Sequence, residues 1–379
     1  MNVAYDARGL IGFTGINVYT RNLVEQLARL YSADTYTLLT TYRKMHRVRE
    51  SFPPEDRDLF AWNNPFLHEL ALGTIGKPIV DLVLGSQFRK EAVKYDLLHC
   101  TNPYYFPRGV ENVVTTIHDL IAFHPEKWVP AADARRSART FKQIAKSKSI
   151  VIVPCNFVRD ELMEQFHIDP SRIVVTYEAA GRDFRRFTES ERTPLGFGLN
   201  DDDQFFLHVG RIDPRKNIER LVEAYLQLPD EVTSSVKLVL VANGDGKQLD
   251  KFRARILQHP NIVHIPGVSD EELARLMNSA LALTFVSLSE GFGIPILEAM
   301  ACGCPVLTGN ISSMPEIAGE AALLVDPYDV TAIASGLLRL ATEADLRTTL
   351  RESGLVRVKD FSWANVARKT HEAYERALA

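Results

Sequence analysis

The sequence has few cysteines, which excludes a disulfide scaffold. Its 379 residues include only Cys100, Cys155, Cys302 and Cys304, and no pair has the C-x-x-C spacing of a zinc or redox site. The close pair at 302 and 304 lies in a segment of small residues typical of a helix exit. There cysteine acts as a compact hydrophobic residue, so we expect all four to pack as core side chains.

Long apolar runs and a secretory leader are also absent. The most apolar stretch, residues 281–288, falls far short of the roughly 20 residues that a membrane-spanning helix needs. The chain reaches Asp6 before any basic or long apolar segment, which is unlike a secretory signal. We therefore expect a cytoplasmic protein that does not cross a membrane.

Motifs for common cofactors are missing as well. Gly9, Gly12 and Gly15 have the spacing G-x-x-G-x-x-G, which differs from the dinucleotide fingerprint G-x-G-x-x-G, and no P-loop motif occurs. The three aspartates at 201–203 precede a predicted strand and so belong to the wrong edge of the sheet for a metal site. The sequence predicts neither a bound cofactor nor a metal ion.

The length and the order of the predicted elements indicate two α/β domains. Because domains usually hold ~100–200 residues, a chain of 379 residues should form two of them. β-branched runs alternate with helical patterns, which is typical of doubly wound parallel sheets with Rossmann-like topology. Strands are predicted at residues 2–5, 36–40, 97–100, 113–117 and 149–154, then at 204–210, 236–242, 262–265, 281–285, 305–308 and 322–325. The predicted domains are residues 1–187 and 196–357, followed by a final helical segment at 358–379.

Charge is distributed unevenly along the chain. The net charge is −4, but residues 1–187 carry +4 and residues 188–379 carry −8. Much of the basic excess lies in residues 131–149, whose cations are Arg135, Arg136, Arg139, Lys142, Lys146 and Lys148. Such a segment either lies on an anionic membrane surface or forms a solvated helix face. The net negative charge and the pI near 6.2 argue against nucleic acid as a partner.

The strongest local signal is the turn after the predicted strand at 204–210. This turn carries three cations within six positions, with Arg211 at the strand end and Lys216 just before a helix that Asn217 would cap. Arginine binds phosphate in a bidentate manner, lysine acts as a point charge, and a helix start offers unbonded N–H groups. The turn therefore either binds a diphosphate or is a solvated basic turn.

A second signal is the segment 289–303. Pro295 and Gly303 predict a short helix whose start is held by glycines. Glu290 precedes this helix and Glu298 lies about one turn into it, so both carboxylates can point toward one ligand and accept hydrogen bonds from a vicinal diol. The alternative is that Glu298 merely suits the helix dipole and that the glycines form an ordinary turn.

Two residues stand out in the first half of the chain. Gly15 lies between the first strand and a helix, in a loop that resembles one that approaches phosphate. His118 directly follows the predicted strand at 113–117, which places an imidazole at the carboxyl edge of the sheet, where ligands of such folds lie. The alternative for His118 is a buried histidine with satisfied hydrogen bonds.

Taken in this order, these elements resemble the retaining glycosyltransferases of family four, which have the GT-B fold. The resemblance spans nearly the whole chain and is specific in the second half, where Glu290 and Glu298 match the family's two glutamates separated by seven residues. Further matches lie at residues 210–211, 214–217, 267–273, 312–319 and 323–327. Residues 177–181 and Asn156 depart from the family pattern, which concerns the linker and not the donor site.

The resemblance implies a nucleotide-sugar donor held mainly by the second domain. The implied donor contacts are Arg211 and Lys216 for the diphosphate, Glu298 for the ribose, Glu290 for the transferred sugar, the backbone near Val268 for the base, and Gly210, Phe292, Gly293 and Ile294 around the sugar and phosphates. Gly15 and His118 would complete the site when the cleft between the domains closes, and the final helix would cross back to the first domain. Arg211, Lys216, Glu290 and His118 are the predicted catalytic residues.

The expected reaction moves a hexose from a nucleoside diphosphate sugar, with GDP-mannose favoured, to a glycan or lipid-linked acceptor in surface polysaccharide synthesis. Fixed cations would stabilise the departing diphosphate in place of a metal, and the resemblance implies front-side attack with retention. The alternatives are a nucleotide-sugar epimerase of the same fold and a catalytically silent partner or membrane-surface scaffold. The sequence does not indicate an oligomeric state.

Overall fold

The computed structural model describes residues 1–7, 15–41, 46, 49–50, 52, 54–66, 90–107, 109–124, 126, 128–188, 191, 195–200, 202–244, 249–250, 252, 254 and 259–379. The described strands are β1 (Asn2–Asp6), β2 (Thr35–Thr41), β3 (Ala61–Phe66), β4 (Leu97–Cys100), β5 (Val113–Thr116), β6 (Ile150–Val153), β7 (Ile173–Val175), β8 (Gln204–Arg211), β9 (Val236–Asn243), β10 (Ile262–Ile265), β11 (Ala282–Phe285), β12 (Val306–Gly309) and β13 (Leu323–Val325). The described α-helices are α1 (Gly15–Leu30), α2 (Ala131–Lys146), α3 (Asn156–Phe166), α4 (Ile218–Leu226), α5 (Asp230–Ser235), α6 (Asp270–Ser279), α7 (Ile294–Ala301), α8 (Met314–Ala318), α9 (Val330–Thr342), α10 (Ala344–Arg357) and α11 (Trp363–Leu378).

These elements form two sheets, of seven and six strands, which share the same order over six strands. The first is β3-β2-β1-β4-β5-β6-β7 and the second is β10-β9-β8-β11-β12-β13, and the strand pairs in both are parallel. In each sheet the winding direction reverses once, between β1 and β4 and between β8 and β11. Ligands of doubly wound folds bind at the carboxyl ends of the two strands flanking this reversal. The predicted pair of Rossmann-like parallel-sheet domains is confirmed.

The predicted strands agree with the observed ones to within one or two residues, but β3 and β7 were not predicted. Both are edge strands of the first sheet. β3 contains Asn63, Asn64 and Pro65, and its proline would be out of place in a central strand. β7 has only three residues. The sequence of β7, Ile-Val-Val, is apolar, but three residues are too few to show the alternation that predicts a strand.

The chain divides into two compact units, one formed by Met1–Glu178 with Ser362–Ala379 and the other by Ala179–Phe361. The predicted bounds at 187 and 358 differ slightly from this division. Residues 179–187 go with the second unit, where the Phe187 N–H donates to Oδ1 of Asn278 over 2.8 Å. Residues 358–361 also go with the second unit, where the Phe361 ring packs against that of Phe292 at a centroid distance of 6.2 Å.

The final helix α11 packs within the first unit. The Tyr374 hydroxyl is buried, where it contacts the Tyr5 hydroxyl and lies 2.8 Å from Nδ1 of His99. The other ring nitrogen of His99 lies 2.8 Å from the Thr116 hydroxyl. Because Tyr5, His99 and Thr116 belong to three neighbouring strands, this network ties the end of the chain to the middle of the first sheet. Such satisfied buried polar networks specify one packing arrangement.

The basic segment forms the amphipathic helix α2. Its buried face contains Ser137, Phe141 and Ile144, and the Phe141 ring packs against those of Phe123 and Phe166 at centroid distances of 5.4 and 5.2 Å. The cations named above are all at least partly exposed. The apolar side of the helix is therefore used by the fold, and only the charged side faces outward. In the described part of the chain, every helix is too short or too polar to span a bilayer.

Candidate active site

The candidate site lies at the carboxyl ends of β8 and β11, the two strands that flank the reversal of the second sheet. Gly210, near the end of β8, allows the Lys216 side chain to lie close to the strand. A Cβ atom on Gly210 would lie 3.4 Å from both Cδ of Lys216 and Nε2 of His208. His208 is fully buried, its Nδ1 donates to the Thr284 carbonyl oxygen over 2.9 Å, and burial lowers its pKa to about 4. A neutral imidazole thus lies beneath the cationic turn.

The turn after β8 is a 3-10 helix at Pro214–Lys216. It begins at Asp213, whose side chain accepts a hydrogen bond from the Arg215 N–H over 2.9 Å. Asn217 occupies the position before α4, as predicted, but the prediction that its side chain caps this helix is wrong. Instead its amide donates to the carbonyl oxygens of Val286 and Pro327 over 3.0 and 2.7 Å. Asn217 therefore joins the turn to the segments that follow β11 and β13.

Glu290 is held between two cations. Its Oε1 accepts from Nζ of Lys216 over 2.6 Å, and its Oε2 accepts from the Arg215 guanidinium over 2.8 Å. The same Arg215 nitrogen also donates to the Ser289 carbonyl oxygen over 2.7 Å. The side chains of Glu290, Lys216 and Arg215 are 10, 13 and 15% exposed. The cluster is therefore mostly buried, but each of its side chains keeps some exposure to solvent.

Two cations contact one carboxylate in this cluster, and the charge of the nearby Asp213 also acts on Lys216. Burial alone would raise the pKa of Glu290, but the attraction of Lys216 and Arg215 is stronger and lowers it to about 2. Burial in turn lowers the pKa of Lys216, although Glu290 opposes this effect. The Lys216 ammonium also lies 4.9 Å from the centre of the Phe285 ring. Lys216 and Arg215 are cations fixed at this strand end, which makes the cluster suitable for binding an anion.

Arg215 was not among the predicted site residues. The sequence pattern predicts Arg211 as the partner of Lys216, whereas the cation that contacts Glu290 together with Lys216 is Arg215. Arg211 is exposed at the end of β8. The available signal was the presence of three cations in one turn, but residue order alone does not tell which of them faces inward.

Glu298 lies in α7 and its environment is the opposite of that of Glu290. It is buried, and burial together with the nearby charge of Asp270 raises its pKa to about 8. Gly293, immediately before α7, has a φ of 97°, which glycine adopts without strain. Phe292 is buried and Ile294 is the first residue of α7. The predicted pocket residues are thus grouped around the start of this helix.

Val268 lies in the loop between β10 and α6 and is partly exposed. The next residue, Ser269, begins α6 through a capping box in which its hydroxyl accepts from the Glu272 N–H and the Glu272 carboxylate accepts from the Ser269 N–H. This loop follows an edge strand of the second sheet, two strands from β8. Its backbone is held in place by the cap.

The remaining predicted residues lie in the first unit. His118 follows β5, and its Nε2 donates to the Thr101 carbonyl oxygen over 3.0 Å while its Nδ1 lies 3.3 Å from Oε1 of Glu178. The Tyr19 ring also packs against the imidazole in a T-shaped arrangement, with the ring centroids 4.8 Å apart. Gly15 is the exposed first residue of α1, whereas Gly9 and Gly12 lie outside the described residues. No group of three or more potential metal ligands occurs in the part of the chain that the structure describes.

Comparison with known protein families shows which family the chain belongs to. The profile of "Glycosyl transferases group 1" matches residues 190–356, and that of "Glycosyltransferase Family 4" matches residues 13–179. The O-antigen chain mannosyltransferase B of Escherichia coli is 32% identical over 275 residues, which are 72% of each chain. The chain belongs to the family-four glycosyltransferases. The predicted glycosyltransferase class, that of a hexosyltransferase, is confirmed.

Other known proteins are also similar to the chain, in sequence or in fold. The serotype-specific mannosyltransferase WbdA of Escherichia coli is 31% identical over 224 residues, which are 58% of this chain and 28% of WbdA. Sucrose-phosphate synthase from Thermosynechococcus elongatus has a TM-score of 0.76 at 21% identity, covering 99% of this chain and 98% of that one. The lipopolysaccharide glycosyltransferase WaaG has a TM-score of 0.74 at 16% identity, covering 98 and 99%. These structures share the fold, and the predicted GT-B class is confirmed.

The raised pKa of Glu298 predicts how stability depends on pH. The folded protein keeps Glu298 neutral up to a pKa of about 8, while an unfolded glutamate ionises near 4.5. The free energy of unfolding should therefore fall as the pH rises from about 5 to 8, at about 1.4 kcal/mol for each pKa unit of difference. Glu298→Gln, which cannot ionise, should lack this loss. Its melting temperature relative to wild type should rise over this range.

Thermal unfolding followed by circular dichroism at several pH values measures this effect. Glu320→Gln, which removes an exposed carboxylate of the same unit, is the control and should follow the wild-type curve. Parallel curves for wild type and Glu298→Gln would show that Glu298 is ionised in the folded protein.

Proposed function

We propose that this glycosyltransferase moves a hexose, most simply mannose from GDP-mannose, to a glycan or lipid-linked acceptor during surface polysaccharide synthesis. We further propose that it retains the anomeric configuration and needs no metal ion. The observation that carries the proposal is the cluster of Glu290, Lys216 and Arg215 at the carboxyl ends of β8 and β11. Support for the sugar comes from relatives named as mannosyltransferases, and support for the donor class comes from a neighbouring structure in complex with UDP and glucose.

The cationic turn is proposed to bind the diphosphate. Breaking the bond between the anomeric carbon and the donor oxygen leaves negative charge on the nucleoside diphosphate, and fixed cations stabilise that charge most in the transition state. Lys216 has three N–H donors and Arg215 has five, so both can keep their bonds to Glu290 while donating to phosphate oxygens. Arg211, exposed at the adjacent strand end, would add a third cation. Together they would supply the positive charge that a metal ion supplies in other transferases.

The two glutamates are proposed to have different tasks. Glu290, kept ionised by its two cations, would accept hydrogen bonds from hydroxyls of the transferred sugar. Glu298, kept neutral by burial, can both donate to and accept from the ribose diol. Front-side attack would leave the acceptor's proton on the departing phosphate, so that Glu290 orients the sugar and does not act as a nucleophile.

The other predicted contacts are proposed on the same basis. Backbone groups near Val268 would hold the base, while Gly210, Phe292, Gly293 and Ile294 would surround the sugar and phosphates. In the first unit, His118 and Gly15 keep the roles that the resemblance implies. Since both ring nitrogens of His118 already face oxygen atoms, its use on a substrate requires that one of these hydrogen bonds be exchanged.

Binding and transfer assays test the proposed function. GDP should raise the melting temperature more than UDP or ADP, because a ligand that binds only the folded state stabilises it by about 2.7 kcal/mol at a hundredfold excess over Kd. With GDP-mannose and an oligosaccharide acceptor, NMR of the product should show the anomeric configuration of the donor, also after treatment with EDTA. Turnover of donor to an isomer without acceptor would indicate an epimerase, and binding without any turnover a silent partner.

Removal of the cations should lower turnover with little effect on folding. We expect Lys216→Ala and Arg211→Ala to lower kcat by about 10²–10³, the size of the loss for one preorganised donor, and Arg215→Ala to have a similar effect because it also frees Glu290. Steady-state kinetics and far-UV circular dichroism provide the two readouts.

A matched control is Lys237→Ala, which breaks the ion pair between Lys237 and Asp203 near the amino ends of β8 and β9. This variant should retain wild-type kcat. Full turnover by Lys216→Ala and Arg211→Ala would contradict the proposed roles.

We also propose that the charged side of α2 rests on an anionic membrane surface when the acceptor is lipid-linked. The six cations in residues 131–149 are at least partly exposed, whereas Phe141 and Ile144 are buried in the fold. The attachment would therefore be electrostatic, without insertion of apolar side chains from this helix. Each cation near an anionic surface contributes about 1 kcal/mol, and added salt would weaken the contribution.

Sedimentation with lipid vesicles tests this surface. The variant Arg139→Glu with Lys142→Glu should bind vesicles of anionic phospholipid at least about tenfold more weakly than wild type, since two favourable contributions of about 1 kcal/mol each are lost. Lys359→Glu with Arg368→Glu makes the same change in net charge at exposed positions elsewhere and should bind like wild type. Equal binding by both variants, or binding that salt does not weaken, would contradict the proposal.

A further inference from the structure

The loop between β12 and α8 forms hydrogen bonds with the backbone of Glu290. The hydroxyl of Ser312 accepts from the Glu290 N–H over 3.0 Å and donates to the Glu290 carbonyl oxygen over 2.7 Å. The hydroxyl of Ser313 lies 3.0 Å from the carbonyl oxygens of both Glu290 and Phe292. Two adjacent serines thus bond the residue whose carboxylate contacts Lys216.

Ser313 lies at a position where a serine hydroxyl usually has a different hydrogen-bond partner. Ser313 immediately precedes α8, where a serine normally accepts a hydrogen bond from the N–H groups of the first helical turn. Its hydroxyl does not cap the helix, although the side chain is fully buried. The hydroxyl is instead used on the loop that carries Glu290.

Ser312 has a backbone conformation that serine seldom adopts. Its φ is 62°, in the left-handed region that favours glycine, so the position carries strain that the surrounding structure must offset. In this conformation one hydroxyl reaches both backbone groups of Glu290. A glycine would relieve the strain but could not make either bond.

We propose that Ser312 and Ser313 are positioning residues, which fix the backbone of Glu290 so that its carboxylate meets both the cations and the sugar. This inference rests on the proposed function and goes beyond it, because neither serine would touch a substrate. The carboxylate of Glu290 is held at its other end by Lys216 and Arg215. The serines hold the main chain and the cations hold the side chain, so the residue has little freedom to move. A displacement of about 1 Å at such a group can cost about a hundredfold in rate.

Two substitutions at Ser312 separate positioning from simple stability. Ser312→Gly and Ser312→Ala both remove the hydroxyl, but only glycine relieves the left-handed strain. We expect both to lower kcat by about 10- to 100-fold, with a much smaller change in the donor KM. Ser312→Gly should nevertheless melt at or above the temperature of Ser312→Ala. Activity would then be lost without a matching loss of stability.

The measurements are steady-state kinetics with GDP-mannose and thermal unfolding of the full chain. Ser235→Ala is the matched control, because the Ser235 hydroxyl also lies within hydrogen-bonding distance of two backbone carbonyls of the second unit, those of Glu231 and Val232. It should keep wild-type kcat. Wild-type kcat in Ser312→Gly, or activity that follows melting temperature across the variants, would overturn the positioning role while the proposed function stands. A wild-type protein that neither binds a nucleoside diphosphate nor transfers sugar would overturn both.

Discussion

The burial of Glu290 between Lys216 and Arg215 is the interaction on which the site depends. A lone carboxylate in a nearly dry position would be costly, and so would either cation without its partner. Together they are stable, and they place two cations at the carboxyl ends of β8 and β11. In the proposed function these cations bind an anionic ligand, and the ionised Glu290 beside them accepts hydrogen bonds from sugar hydroxyls. A charged donor carrying a polar sugar matches both properties.

The contrast between the two glutamates follows from their neighbours. Glu290 and Glu298 are both buried, and burial favours the neutral form of each. Among the described residues, cations lie within hydrogen-bonding distance of Glu290 but not of Glu298, so the pKa of Glu290 falls to about 2 while that of Glu298 rises to about 8. The same residue type thus provides a permanent anion at one position and a neutral donor and acceptor at another. An ionised carboxylate only accepts hydrogen bonds, whereas a neutral one can also donate, so the two positions can bind hydroxyl groups in different ways.

The basic helix α2 shows what a sequence pattern leaves undecided while the fold is unknown. Its alternation of cations and apolar residues fits both a membrane-surface helix and a helix packed on a domain. Phe141 is used in the core of the first unit, where it meets Phe123 and Phe166. The apolar face of α2 is therefore buried in the fold, and any attraction of this helix to lipid must come from its charges alone.

The sequence by itself indicated the family and the described strands other than the edge strands β3 and β7, and it selected Lys216, Glu290 and Glu298 as candidate site residues. These follow from local apolar patterns, from glycine and proline positions, and from motif spacing. Only the tertiary structure decided that Arg215 faces Glu290, that the glutamates titrate in opposite directions, and that Ser312 holds the loop. Lys216 and Glu290 are 74 positions apart, and they meet because the order of strands makes β8 and β11 neighbours. Which side chains face each other at the carboxyl ends of β8 and β11 depends on packing between segments that are distant in sequence. No local sequence pattern predicts such packing.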